Sequence, residues 1–189
     1  MPSKSSAERG QEVATPKIEP YDATAIIALV PMKPHDLIGD VGCGDGRLTI
    51  PLARYAYGGK VYAFDSQQKT LDSVQERAKQ ARVGNIETVL SKEASLPLED
   101  GKLDGVVVSG ALNGASKNRG LFKELHRVLR KGGWSAVITA SGQPAKGTGA
   151  APAAEDKSAE VLDSALDAGF TKLTGRPLNG SYRLLVLRK

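Results

Sequence analysis

The chain has 189 residues, 40% of them hydrophobic and 25% charged, which is the length and balance of one globular domain with a proper core. No uninterrupted apolar run reaches the length of a membrane span, and Met1 to Gly10 lacks the apolar core of a secretory signal, so the expectation is a cytoplasmic location. The one cysteine, Cys43, excludes an intrachain disulfide, and with His35 and His126 as the only histidines no metal-ligand cluster has the usual spacing.

Met1 to Pro20 is rich in Ser, Lys, Glu and Pro and reads as a flexible N-terminal arm, leaving residues 21–189 as a single domain. Tyr21 to Val30 has helical character that Pro31 and Pro34 stop. Asp36 to Val41 is a first strand, followed by a glycine-rich turn and a helical segment to about Tyr57, in which Pro51 predicts a kink. Lys60 to Phe64 is a second strand. Gln67 to Val83 is an amphipathic helix with Leu71, Val74 and Ala78 at helical spacing. Ile86 to Leu90 and Leu103 to Val108 follow as strands, the latter apolar as befits a central position.

Arg119 to Arg130 is the next helix, with Phe122, Leu125 and Leu129 on one face and Lys131-Gly132-Gly133 as its stop. Trp134 to Ala140 is a fifth strand, and this alternation specifies a parallel sheet with right-handed crossovers. The Gly-, Ala- and Pro-rich stretch 141–157 reads as a mobile loop. After a helix from Ser158 to Ala168 come extended runs Phe170 to Leu173 and Tyr182 to Leu187. Pro177-Leu178-Asn179-Gly180 joins them, a connection short enough only for antiparallel strands. The expected fold is therefore α/β, a doubly wound, mostly parallel seven-stranded sheet ending in an antiparallel hairpin.

The glycine turn Asp40-Val41-Gly42-Cys43-Gly44-Asp45-Gly46 has the spacing G-x-G-x-G, with Arg47 where a dinucleotide fingerprint has its third glycine. Asp40 closes the strand before it. A carboxylate there repels a pyrophosphate and attracts a cation, which favours a cofactor such as S-adenosylmethionine, with its ammonium and sulfonium and no phosphate. Asp65, closing the second strand, is suited to accept hydrogen bonds from both hydroxyls of an adenosine ribose.

Three segments resemble class I S-adenosylmethionine-dependent methyltransferases, most closely the subgroup of ubiquinone and menaquinone biosynthesis C-methyltransferases. Asp40 to Ala53 resembles their first motif, Ser95 to Asp104 the approach to their fourth strand, and Glu124 to Gly133 the helix before their fifth. The resemblance covers about Pro34 to Ala140. It implies Asp40, Gly42, Cys43 and Gly44 around the methionine end of S-adenosylmethionine, Asp65 on the ribose and Ser66 beside the adenine. Lys92 departs from the family's usual acidic residue, so Glu93 and the Ala94 backbone stand in as adenine contacts. Ser109 and Gly110 line the floor near the sulfonium. The implied reaction is in-line displacement on the sulfonium methyl, releasing S-adenosylhomocysteine, with no metal. Orientation alone can drive it, and no residue is assigned as a base.

Tyr21 is the candidate acceptor-side contact, in a segment that often forms a lid in this family. A small-molecule acceptor is favoured; nothing in the sequence sets an oligomeric state. The formal charge of +5 resides in Lys117, Arg119, Lys123, Arg127, Arg130 and Lys131 against Glu124. That pattern fits a nucleic-acid or protein-substrate stripe, but a solvated helix face is the favoured reading because no aromatic residues interleave it. Residues Ser109 to Asn113 do not carry the Asp/Asn-Pro-Pro-aromatic motif of base-amino methylation. A non-catalytic S-adenosylmethionine-binding protein is the remaining alternative. Cys43 reads as a small residue under the turn and not a nucleophile, because nothing in the sequence places a base beside it, although a helix N-terminus can lower a thiol pKa. His35 reads as structural and His126 as surface or partly packed.

Overall fold

Seven strands form among the described residues: β1 Leu37–Val41, β2 Lys60–Asp65, β3 Ile86–Leu90, β4 Leu103–Val108, β5 Leu129–Ala140, β6 Thr171–Pro177 and β7 Tyr182–Arg188. Between them lie α1 Ala23–Leu29, α2 Thr49–Tyr55, α3 Gln68–Gln80, α4 Ala115–Val128 and α5 Ser158–Asp167. The computed structural model describes residues 21–92, 94–109, 115–141, 156–179 and 181–189. The expectations for the arm 1–20, Glu93, Gly110, most of the 141–157 loop and Gly180 lie outside these residues.

The strand order is β3-β2-β1-β4-β5-β7-β6. Strands β1 to β5 pair in parallel, whereas β7 runs antiparallel to both β5 and β6, as the Asn-Gly connection predicts. Asn179 builds that connection, its Oδ1 accepting from the Ser181 and Tyr182 amides at 2.8 and 2.9 Å. The chain leaves β1 in one direction and β4 in the other, so a crevice opens at their carboxyl ends.

Side-chain alternation divides the core between the two sheet faces. Val106 and Val108 pack with Phe122 and Leu125 of α4 and with Val161 and Ala165 of α5. Val107 packs on the opposite face, with Ile26 of α1 and Leu52 and Ala53 of α2. Phe122 and Leu125 are fully buried, each worth roughly 1.5–3 kcal/mol relative to exposure. Ile26, Val30 and Met32 fix α1 and its exit to the sheet, which sets where Tyr21 begins.

Three details differ from expectation. Pro51 is the third residue of α2, in the first turn, where amides have no partner within the helix; it starts the helix without kinking it. Lys131-Gly132-Gly133 is not a helix stop, because α4 gives way directly to β5 at Leu129. These residues form an irregularity in the β4–β5 pairing, which jumps from Leu103↔Leu129 to Gly105↔Trp134, with Gly132 at φ 74°. Strand β4 is not apolar throughout either: Asp104 accepts from the Leu37 amide at 2.8 Å and from Arg130 Nε at 2.6 Å.

Candidate cofactor and acceptor site

The glycine turn is built on left-handed backbone. Gly42, Gly44 and Gly46 have φ of 73°, 51° and 78°, a region in which any side chain would strain the chain. A Cβ on Gly46 would also crowd Val74 of α3 at 3.3 Å. The turn is tied to β2, with the Gly42 and Cys43 amides donating to the Phe64 carbonyl at 3.0 and 3.1 Å. The Gly44 amide donates to Asp65 Oδ2 at 3.2 Å, joining two of the predicted site residues.

Asp40 is fully buried. Its Oδ2 accepts from Thr49 Oγ1 at 2.6 Å, while Oδ1 has no hydrogen-bond partner. Burial pushes the carboxyl up to about 6, opposed by the Thr49 hydroxyl and reinforced by Asp65. A buried carboxylate oxygen left unpaired is costly, and a cationic donor in the crevice would relieve it. Thr49 escaped the sequence reading. Its signal was a polar residue opening an apolar helix nine positions after Asp40.

Asp65 has one oxygen on Gly44 and the other accepting from the Gln67 amide at 3.0 Å. It is both a turn residue and half-open to solvent, and the lone pairs left on each oxygen can serve a pair of hydroxyls. The Ser91 amide donates to the Asp65 carbonyl at 3.0 Å, which brings the turn after β3 beside Asp65 and Ser66. In that turn Lys92 bridges Ser95, and Ala94 is exposed. At the end of β4, the Ser109 amide donates to the Val41 carbonyl and Ser109 Oγ to the Gly42 carbonyl, both at 3.3 Å.

Tyr21 reaches the same crevice. Its side chain lies beside Ser109, and burial, with Asp40, Tyr182 and Asp45 nearby, raises its phenol above the ordinary value. Its ring meets Tyr182 edge to face, with centroids 5.2 Å apart and planes at 86°. Tyr182 was not anticipated, because an aromatic residue opening a strand reads as core. Asp40, Gly42, Gly44, Asp65, Ser109 and Tyr21 thus converge, while Cys43 lies buried beneath the turn. Burial and then the charges of Asp40 and Asp65 raise the Cys43 thiol, in keeping with a small packed residue and not a nucleophile.

The basic helix does not form an open stripe. Arg127 is fastened to Glu124 at 2.7 Å, to Asp100 at 2.6 Å and to the Leu96 and Leu98 carbonyls. Arg130 belongs to β5 and pairs with Asp104, and Arg119 faces Asp167 at 3.8 Å. Arg119, Lys123 and Arg130 are exposed, in keeping with a solvated face, while Arg127 is half-buried in its network of carboxylates and carbonyls. His126 packs on Phe170 with ring centroids 5.4 Å apart, and burial together with Lys189 lowers its pKa. His35 lies against Gly58 and Tyr57 near the start of β1, away from the crevice. Among the described residues no helix is long and apolar enough to cross a membrane, and no three His, Cys, Asp or Glu side chains gather as metal ligands.

A glycine turn led by a buried carboxylate, at the switch point of a parallel sheet that ends antiparallel, defines the class I fold of S-adenosylmethionine-dependent methyltransferases. Residues 38–133 match the family model described as a methyltransferase domain, and the chain belongs to that family. Among curated relatives, a demethylmenaquinone methyltransferase of Lactococcus lactis is 28% identical over 156 residues, covering 74% of this chain and 61% of its own length. One from Symbiobacterium thermophilum is 31% identical over 117 residues, 61% of this chain and 47% of the relative. The chain thus spans about half the length of these relatives. Among solved structures, a SAM-dependent methyltransferase from Aquifex aeolicus superposes with TM-score 0.79 at 21% identity over 89% of both chains. The [4+2]-cyclase SpnF gives 0.73 at 17% identity over 88% of this chain and 80% of its own.

Proposed function

We propose that this chain transfers a methyl group from S-adenosylmethionine to a small-molecule acceptor. The observation that carries the reading is Asp40, a buried carboxylate with one oxygen unpartnered beside the glycine turn. Such a group calls for a cation, and the ammonium of the methionine end supplies one. Asp65 would accept from the ribose hydroxyls, with Ser66, Glu93 and the Ala94 backbone along the adenine. Gly42, Gly44, Ser109 and Gly110 would border the sulfonium. When bound, the cofactor supplies an electrophilic methyl.

The chain's own contribution is then orientation and exclusion of water. Aligning two reactants can supply on the order of 7–11 kcal/mol of a barrier, so the residues that fix the acceptor matter as much as those that fix the cofactor. Tyr21 would cover the acceptor side, its ring, set against Tyr182 and beside Ser109, excluding water. The names of the demethylmenaquinone methyltransferase relatives support a small, largely apolar acceptor, in keeping with the two tyrosine rings at the mouth. The neutralised arginines of the α4 segment count against an RNA or protein stripe.

A second reading, cofactor binding without methyl transfer, is favoured by one observation: a [4+2]-cyclase shares the fold. Incubation with methyl-labelled S-adenosylmethionine and a fractionated metabolite extract separates the two. Labelled product formed together with S-adenosylhomocysteine supports the proposal. Tight cofactor binding with no label transferred to any fraction would favour the second reading instead.

A further inference from the structure

We infer that Tyr182, at the head of β7, is a positioning residue that holds the Tyr21 ring over the crevice at the carboxyl ends of β1 and β4. The inference rests on the function proposed above and assigns the terminal hairpin a role in it.

Tyr21 immediately precedes Asp22, which caps α1 by accepting from the Thr24 amide at 2.8 Å. The helix behind it is anchored by fully buried Ile26, so the main chain arrives at Tyr21 from a fixed direction. The Tyr21 side chain projects beyond that anchor. Two contacts define where it lies: packing against the apolar layer that holds Ile26, Val30 and Met32, and the edge-to-face contact with Tyr182. Apolar packing is non-directional and leaves the ring free to swing. The aromatic edge removes that freedom, because the perpendicular arrangement is the one the ring quadrupoles favour.

Tyr182 is built to be the rigid partner. It pairs with Ala140, the last residue of β5, so it stands at the same edge of the sheet as the crevice. Its amide donates to Asn179 Oδ1 at 2.9 Å, and its carbonyl accepts from the Leu178 amide at 2.9 Å. The turn thus holds Tyr182 on both polar groups of its backbone. The ring contact thus ties β7 to Tyr21, which lies beside Ser109, whose Oγ donates to the Gly42 carbonyl of the cofactor turn. The charged and titratable groups facing this pair are Asp40 and Asp45, which bear on Tyr21, and Arg47, which bears on both phenols.

The test is a double-mutant cycle on S-adenosylhomocysteine affinity by calorimetry, with Tyr21 ionisation followed by phenolate absorbance. Tyr21→Ala and Tyr182→Ala are each expected to weaken binding by about three- to tenfold, and the double variant by no more than either alone. Tyr182→Phe keeps the ring and is expected to recover affinity to within about twofold. Tyr182→Leu keeps apolar volume at the head of β7 without an aromatic edge, so it separates ring contact from folding and is expected to behave as Tyr182→Ala. Subtracting the matching Tyr21→Phe variant isolates the Tyr21 phenol. Its ionisation should move to lower pH in Tyr182→Leu, as burial is lost. Additive losses, or a Tyr21 titration unmoved in Tyr182→Leu, would overturn the inference while leaving cofactor binding intact. Failure of the wild-type chain to bind S-adenosylhomocysteine would overturn the proposed function instead.

Discussion

Replacing Asp40 by asparagine removes a charge that the fold keeps buried with only half its hydrogen bonds made. Burial raises the carboxyl from 3.8 to about 6, so the folded chain holds the proton more tightly than the unfolded chain. Stability from this group is fully present below about pH 4 and is lost as pH rises through about 6. At about 1.4 kcal/mol per pH unit, the wild-type chain without cofactor is disfavoured by about 3 kcal/mol at pH 8, roughly half of it already present at pH 5. Asparagine does not ionise and can still accept from Thr49. Urea denaturation of both proteins at pH 5 and pH 8 should therefore show Asp40→Asn gaining on wild type by about 1–1.5 kcal/mol between the two. The same variant should bind S-adenosylmethionine at least about tenfold more weakly, the loss of a charged hydrogen bond. A variant less stable than wild type at pH 8, or a difference that does not change with pH, would refute the reasoning.

Asp65→Ala removes the proposed ribose acceptor together with the Gly44 and Gln67 anchors, and should weaken S-adenosylmethionine binding by roughly 1.5–3 kcal/mol in calorimetry. Gly46→Ala forces a left-handed alanine against Val74 and should cost about 1–2 kcal/mol in denaturation midpoint analysis, with cofactor affinity reduced as well. Arg127→Gln strands the half-buried Glu124 carboxylate and gives up the bonds to the Leu96 and Leu98 carbonyls, and should lower stability by about 1–3 kcal/mol while leaving S-adenosylmethionine affinity unchanged, since the network lies away from the crevice.

Local features were legible in the sequence wherever the physics is local. The spacing of Gly42, Gly44 and Gly46 announces left-handed backbone, and Asn179 announces the turn that makes the last strand antiparallel. What escaped depends on partners far along the chain. Arg127 and Arg130 look like free charge in a helical pattern, yet their carboxylates lie 27 and 26 residues away in the turn before β4 and in β4 itself. The pairing of Tyr21 with Tyr182 spans nearly the whole chain. Pro51 and Lys131-Gly132-Gly133 were misread for another reason: the same residue types suit a helix interior kink or a first turn, a helix stop or an irregular strand, and only the start of α2 and of β5 decides.

Calorimetric titration of the purified chain with S-adenosylmethionine, S-adenosylhomocysteine and NAD tests the central claim most directly. The buried Asp40 carboxylate, which would repel a pyrophosphate beside the glycine turn, predicts saturable binding of the first two and none of NAD. Binding of NAD with no response to either sulfur compound would contradict it.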